Sequence, residues 1–168
     1  MTVDVEFEEC FREHYPRLVA LGVAMSGSRE LARDLAQETM VRAHRHWPEV
    51  RHYDVPWAWL RRVMTNLLID QHRSRTAEGA AIVRLGARPE PAHPAPVSDD
   101  WAEMIALLPP RQRVVVTLHY AEDLSIEQIA EVMHIRTGTV KSALAKARER
   151  LATTWTRDAG ADSTGGTR

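Results

Sequence analysis

Four prolines fall within residues 89–96, at Pro89, Pro91, Pro94 and Pro96, and they limit what this chain can fold into more than any other feature. Proline removes a backbone donor and steers the preceding residue away from helix, so this stretch favours extended backbone. From Thr76 to Val97 the remaining residues, Ala, Gly and Glu among them, show no amphipathic period towards the end. A structureless stretch of that length is uncommon inside a compact domain. The 168 residues therefore read as two small domains, with expected boundaries 1–75 and 98–156, joined by a linker over 76–97. Residues 157–168, rich in Gly, Ser, Thr and Ala, read as a frayed tail.

Both halves carry helical periodicity, and nothing alternates with a period of two for long enough to make a strand. Phe7, Phe11, Tyr15 and Leu18 recur at helical spacing. From Ser28 to Trp47 one face carries Leu31, Leu35, Thr39, Ala43 and Trp47. After Asp54-Val55-Pro56, where Asp can cap and Pro suits a first turn, Leu60, Met64 and Leu67 point inward with Val63 and Leu68. In the second half a helix runs through Val114, Val115 and Leu118. Ser125-Ile126-Glu127-Gln128 is a capping-box pattern that opens a short helix with Ile126, Ile129, Ala130 and Met133. After His134-Ile135-Arg136, Thr137 can cap a last helix with the inward stripe Val140, Leu144, Ala147 and Leu151. A short helix, a tight turn and a longer helix with a polar outer face make a helix-turn-helix. The expected fold class is all-α.

Composition excludes several classes. A lone cysteine, Cys10, forms no internal disulfide, so the fold does not depend on an oxidising compartment. The longest apolar stretch, Leu18 to Met25, is far short of the roughly 20 residues that cross a bilayer. The first residues are acidic where a secretory signal would be basic and then apolar. The expectation is a soluble, cytoplasmic chain without membrane insertion. His44 and His46 stand two apart and the other histidines lack ligand spacing, so no metal is expected. No Gly-rich phosphate loop, Ser-His-Asp set or paired carboxylate stands at a convincing position; no catalytic residue and no cofactor are expected.

With 22 Lys plus Arg against 23 Asp plus Glu, the net charge is −1, which taken alone argues against a nucleic-acid binder. The charges are segregated, however. Asp4, Glu6, Glu8, Glu9 and Glu13 crowd the start, and Glu122, Asp123, Glu127 and Glu131 cluster before the helix-turn-helix turn. From Arg136 to Arg150 five basic residues face one acidic residue, Glu149. Arg136, Thr137, Thr139, Lys141, Ser142 and Lys146 suit DNA: cations for phosphates, short hydroxyl side chains for base edges in a major groove. A second basic stretch runs from Arg61 to Arg75. There Arg62, Asn66, Asp70 and Arg73 share one helix face, and Tyr53 and Trp57 lie just upstream, with Trp59. Arg holds a backbone, Asn offers donor and acceptor to a base edge, and aromatic rings stack on an unpaired base. Both runs also have the look of solvated helix faces, and either Trp by itself is more often core. A third stripe, Asp34, Gln37, Glu38 and Val41, lies opposite the Leu31–Leu35–Thr39 face; it is either plain surface or a docking face for a partner helix.

Together these residues resemble a known family. Asp34-Leu35-Ala36-Gln37-Glu38-Thr39-Met40-Val41-Arg42-Ala43 and Trp57-Ala58-Trp59-Leu60-Arg61-Arg62-Val63-Met64-Thr65-Asn66 are similar to the core-binding and promoter-melting region 2 of sigma-70-type factors. Leu108-Pro109-Pro110-Arg111-Gln112-Arg113, Leu124-Ser125-Ile126-Glu127-Gln128-Ile129-Ala130 and Gly138-Thr139-Val140-Lys141-Ser142 resemble region 4 of that family, which binds the minus-35 element. The motif order and two-domain size resemble the extracytoplasmic-function (ECF) group, in its SigE-like actinobacterial branch. Two positions depart from the pattern: His134 stands where Gly is usual in the turn, and Ala143 where Arg often follows Lys-Ser.

The resemblance implies a promoter-specificity subunit of bacterial RNA polymerase. It implies that Asp34, Gln37, Glu38 and Val41 dock on the coiled coil of the largest subunit of core RNA polymerase, and that the flap is a further contact. The loop from Trp47 to Pro56, with Arg62, Asn66 and Asp70, would capture a flipped base of the minus-10 element, and the last helix would enter the minus-35 major groove. An anti-sigma factor is a further implied partner. The alternatives are a stand-alone helix-turn-helix regulator, which leaves the Asp34–Val41 stripe and the Asn66 face without a role, and a helical interaction protein, which leaves both basic faces unexplained.

Overall fold

The computed structural model describes residues 2–84 and 100–161. Within them the chain forms eight helices: α1 (Thr2–Ser26), α2 (Arg29–Arg45), α3 (Trp47–Val50), α4 (Pro56–Arg84), α5 (Asp100–Ala106), α6 (Pro110–Tyr120), α7 (Ile126–Met133) and α8 (Thr137–Ala161). No described residue is in a strand, and no helix among them is long and apolar enough to cross a membrane. Contacts divide the chain into two compact units, Met1–Ala95 and Pro96–Arg168.

In the first unit, local chemistry sets the corner between α1 and α2. Gly27 takes a positive φ of 74° after the last turn of α1, and its N–H donates to Val23 O at 2.8 Å. Ser28 then caps α2, its hydroxyl accepting from Leu31 N–H at 3.2 Å. The corner folds α2 back along α1. Leu18, Leu21 and Met25 of α1 pack with Leu31, Leu35, Thr39, Met40 and Ala43 of α2, and with Leu60, Met64 and Leu68 of α4. Close approach is possible because Gly22 faces Ala32; a Cβ at Gly22 would sit 2.9 Å from the Ala32 Cβ and would overlap the Met64 Cε. Leu67 and Val63, expected inward, are half-buried, whereas Leu68, expected inward with them, is fully buried. At about 100° per residue Leu67 lies no farther from the Leu60–Met64 direction than Leu68 does, so the burial of Leu68 is set by the packing of α4 against α1 and α2 and not by the period.

α4 begins at Pro56, as its preorganised φ favours. It continues to Arg84, nine residues into the segment expected to be linker. Ala77, Glu78, Ala80 and Ala81 favour helix and no proline intervenes before Pro89, so the helix propagates through the less favourable Thr76 and Gly79. The four prolines themselves lie outside the described residues. Likewise α8 runs to Ala161, beyond the expected tail boundary.

In the second unit α6 is the central helix: Val114, Val115, Val116, Thr117 and Leu118 are consecutively buried. Around it lie Ile105 and Leu108, then Ile129, Ala130, Val132 and Met133 of α7, then Val140, Leu144 and Ala147 of α8. Leu151, expected inward, is half-buried. Arg113 closes the α5–α6 corner, its guanidinium donating to Ile105 O (3.2 Å), Ala106 O (2.8 Å) and Leu108 O (3.1 Å). Desolvation lowers its pKa from the ordinary arginine value.

Candidate nucleic-acid and polymerase interfaces

The helix-turn-helix is built by two devices. Ser125 and Gln128 form a reciprocal capping box: Gln128 N–H donates to Ser125 Oγ at 3.2 Å, and Ser125 N–H donates to Gln128 Oε1 at 2.8 Å. The helix stops at His134, which is left-handed (φ 52°, ψ 47°). His134 N–H reaches Glu131 O at 3.2 Å and Ile135 N–H reaches Ala130 O at 3.0 Å, the pair of bonds that closes a Schellman turn. The position where glycine is usual thus has the backbone that favours glycine. α8 starts at Thr137 itself. The carbonyl of Arg136 accepts from Thr139 N–H (2.9 Å) and Val140 N–H (3.3 Å), so Arg136, not Thr137, holds the position before the helix.

Burial of Val140, Leu144 and Ala147 turns the opposite side of α8 outward. Arg136, Thr137, Lys141, Ser142 and Lys146 are exposed and Thr139 is half-buried, so five of the six residues expected on DNA stand open on or just before this helix. Arg148 is different: its Nε donates to the Tyr120 hydroxyl at 2.8 Å, tying that guanidinium to the end of α6. Glu127, at the first turn of α7, has its carboxyl below the usual range. Its own backbone N–H, the Ser125 hydroxyl and the charge of Lys141 hold it there.

In the first unit, Arg62, Asp70 and Arg73 are exposed along α4 and Asn66 is half-buried among them. Asp70 and Arg73 approach to 3.8 Å, both well solvated, a contact too exposed to hold either residue in place. Tyr53 is 43% exposed on the loop between α3 and α4. Trp57 departs from its expected role: it is 5% exposed, with the Arg17 guanidinium 3.8 Å over its ring and His14 at 5.9 Å. The ring sits on the face that α4 turns to α1, where burying it is worth more than leaving it wet. Trp59, half-buried beside His46 at 6.1 Å, is nearer the surface.

On α2, Asp34, Gln37 and Val41 are exposed and Glu38 is half-buried, opposite Leu31, Leu35 and Thr39. Glu38 accepts from Arg42 Nε at 2.8 Å one turn on. Beside this stripe lies a feature that the sequence reading missed: an open groove of about 490 Å³ lined by Phe7, Phe11 and Tyr15 of α1 with Gln37, Met40, Val41 and His44 of α2. Phe11 and Tyr15 stack at 4.8 Å. Their spacing was visible, but which side of α1 the core would take was not. Among the described residues no group of three or more His, Cys, Asp or Glu could hold a metal ion.

Comparison with known proteins falls on the same segments. The model for sigma-70 region 2 matches residues 10–78, and that for sigma-70 region 4 matches residues 98–151. The ECF RNA polymerase sigma factor SigE of Mycolicibacterium smegmatis is 33% identical over 86% of the chain, which spans 60% of that relative's length. The ECF RNA polymerase sigma factor SigM of Mycobacterium tuberculosis is 33% identical over 87% of the chain and 75% of its own length. Among solved structures, the sigma factor RpoE of Bartonella quintana, in complex with the anti-sigma factor NepR, aligns with a TM-score of 0.63 and 26% identity, covering 86% of this chain and 93% of that one. The chain belongs to the sigma-70 family of RNA polymerase sigma factors, in the extracytoplasmic-function group.

Proposed function

We propose that this chain is the promoter-specificity subunit that binds core RNA polymerase, recognises minus-35 and minus-10 DNA, and starts transcription by melting the latter. Asp34, Gln37, Glu38 and Val41 dock on the coiled coil of the largest subunit. Tyr53, Arg62, Asn66, Asp70 and Arg73 face the melted minus-10 strand, where a flipped base costs a few kcal/mol that pocket and phosphate contacts offset. Arg136, Thr137, Thr139, Lys141, Ser142 and Lys146 read and hold the minus-35 major groove, and the flap of the polymerase is the further contact. The chain brings no catalytic group of its own to the reaction. It acts in the cytoplasm with the polymerase, and an anti-sigma factor holds it in check, as NepR accompanies the RpoE relative.

The observation that carries this reading is the pairing, within one unit, of the exposed Asp34–Gln37–Val41 stripe with the Arg62–Asn66–Asp70–Arg73 face. A stand-alone regulator would need only the helix-turn-helix. Pull-down with core polymerase, followed by run-off transcription from a promoter mapped by start-site sequencing, tests it. A chain that neither binds core nor directs initiation refutes it. Asn66→Ala is expected to impair melting, read by permanganate reactivity, more than core affinity; equal loss of both removes Asn66 from the strand-capture role. Lys146→Ala is expected to weaken upstream-element binding and flatten the log–log salt dependence by about 0.9, one phosphate's worth.

A further inference from the structure

The loop that carries Tyr53 has little to hold it. Tyr53, Asp54 and Val55 are exposed. The backbone bonds of its first residues are local, His52 N–H to Glu49 O and Tyr53 N–H to Val50 O, both 3.1 Å. These bonds pass the task of fixing the loop back to α3, and a four-residue helix does not sustain itself. α3 is held through buried Trp47 and Val50. Two contacts reach this base from neighbouring residues of α1. The Phe7 ring meets Trp47 edge-on, centroids 5.3 Å apart, and also meets His44 of α2 at 4.8 Å. The Glu6 carboxylate meets the Arg51 guanidinium at 3.3 Å, at the residue where α3 gives way to the loop. Both residues precede the span matched by the region 2 model, which begins at residue 10.

We infer that Glu6, with Phe7 beside it, is a positioning residue for base capture: it anchors Arg51 and so fixes the angle at which the 51–55 loop presents Tyr53 to the melted strand. The inference rests on the promoter-melting role proposed above. It gives part of the acidic N-terminal cluster a use that a solvated surface does not have. Phe7 also lines the groove beside Gln37 and Val41, so the same stretch of α1 touches the proposed polymerase contact and the base of the proposed DNA loop.

The test is charge exchange in reconstituted holoenzyme on a promoter fragment mapped by start-site sequencing, with permanganate reactivity as the readout of melting. Glu6→Gln is expected to lower open-complex formation about two- to fivefold, the reach of one half-exposed ion pair. Core affinity and the thermal midpoint of the free chain are expected to hold. The double variant Glu6→Arg/Arg51→Glu is expected to restore melting to near the wild-type level, while Arg51→Glu alone is not. Unchanged melting in Glu6→Gln overturns the inference, as does a loss matched by equal loss of core affinity. Failure of the exchange to restore melting also overturns it, and points to Arg51 as a phosphate contact in its own right. A wild-type chain that does not bind core or melt the promoter overturns the proposed function itself, which separates the two failures.

Discussion

His134 shows how a single residue can work against the turn it occupies. Its φ of 52° belongs to the region where a Cβ crowds the following carbonyl, a cost that glycine escapes. The surrounding Schellman bonds from His134 and Ile135 hold it there regardless. His134→Gly is therefore expected to stabilise the second unit by about 1 kcal/mol, less what glycine gives back in unfolded-chain entropy. Urea denaturation with helix-turn-helix circular dichroism checks it, and upstream-element binding should survive. Cys10 is a quieter case: burial, and secondarily the charge of Glu13, push its thiol up from the ordinary value, which makes it a packing residue and not a reactive one. The sequence identified the departure at His134 but not the geometry that makes it costly.

At the scale of elements, corners matter more than helices. The start of α2 was legible at Ser28 from its periodicity, and the capping box of α7 from its four residues, whereas the Gly27 turn between α1 and α2 was not read. The α5–α6 corner was not. Arg113 lies in a motif with two prolines, and nothing in the spacing says that its guanidinium turns inward to the Ile105 and Ala106 carbonyls at the end of α5 and to Leu108 O just beyond it. The last carbonyls of a helix lack intrahelical partners, and here Ile105 O accepts from Leu108 N–H at 3.0 Å as well as from Arg113. Arg113→Met keeps the apolar stem and removes every donor, so it is expected to destabilise the second unit by about 2–3 kcal/mol, the scale of charge-assisted bonds lost. Urea titration of the variant against wild type measures it, and a loss under 0.5 kcal/mol would mean water replaces the guanidinium without penalty. Trp57 belongs to this scale too: the position on α4 was right, but the side it turns to α1 was decided by packing.

For the whole molecule the consequential fact is that each unit has its own core. A lesion in one is expected to leave the other standing. Gly22→Ala places a methyl against Ala32 and Met64, between α1, α2 and α4; because the Ala32 backbone itself is 3.0 Å from that methyl, side-chain movement alone does not relieve it. Overpacking of this kind costs about 1–3 kcal/mol. The first unit should unfold earlier by that amount while the second unit's transition and its binding to upstream-element DNA stay put. Differential scanning calorimetry of the full chain, read beside DNA binding, tests both halves of the statement. The near-neutral net charge is also a whole-molecule quantity, and it misleads because an acidic α1 offsets the basic residues of α4 and α8. Weak binding of free chain to random DNA is compatible with that sum.

Sequence by itself determined the longer helices though not where α4 and α8 end, the capping box, the helix-turn-helix and the family, because propensity, period and capping act over a few residues and motif order is linear. It also placed the exposed residues of α2 and α8, since each inward stripe fixes its opposite. Tertiary structure decided what depends on a second element: that Trp57 is core under Arg17, that Arg148 is tied to Tyr120, that Arg113 caps α5, and that Phe7, Phe11 and Tyr15 line a groove. In each of these the side chain's partner lies on another helix, and which helix faces which is a property of packing that no local pattern contains.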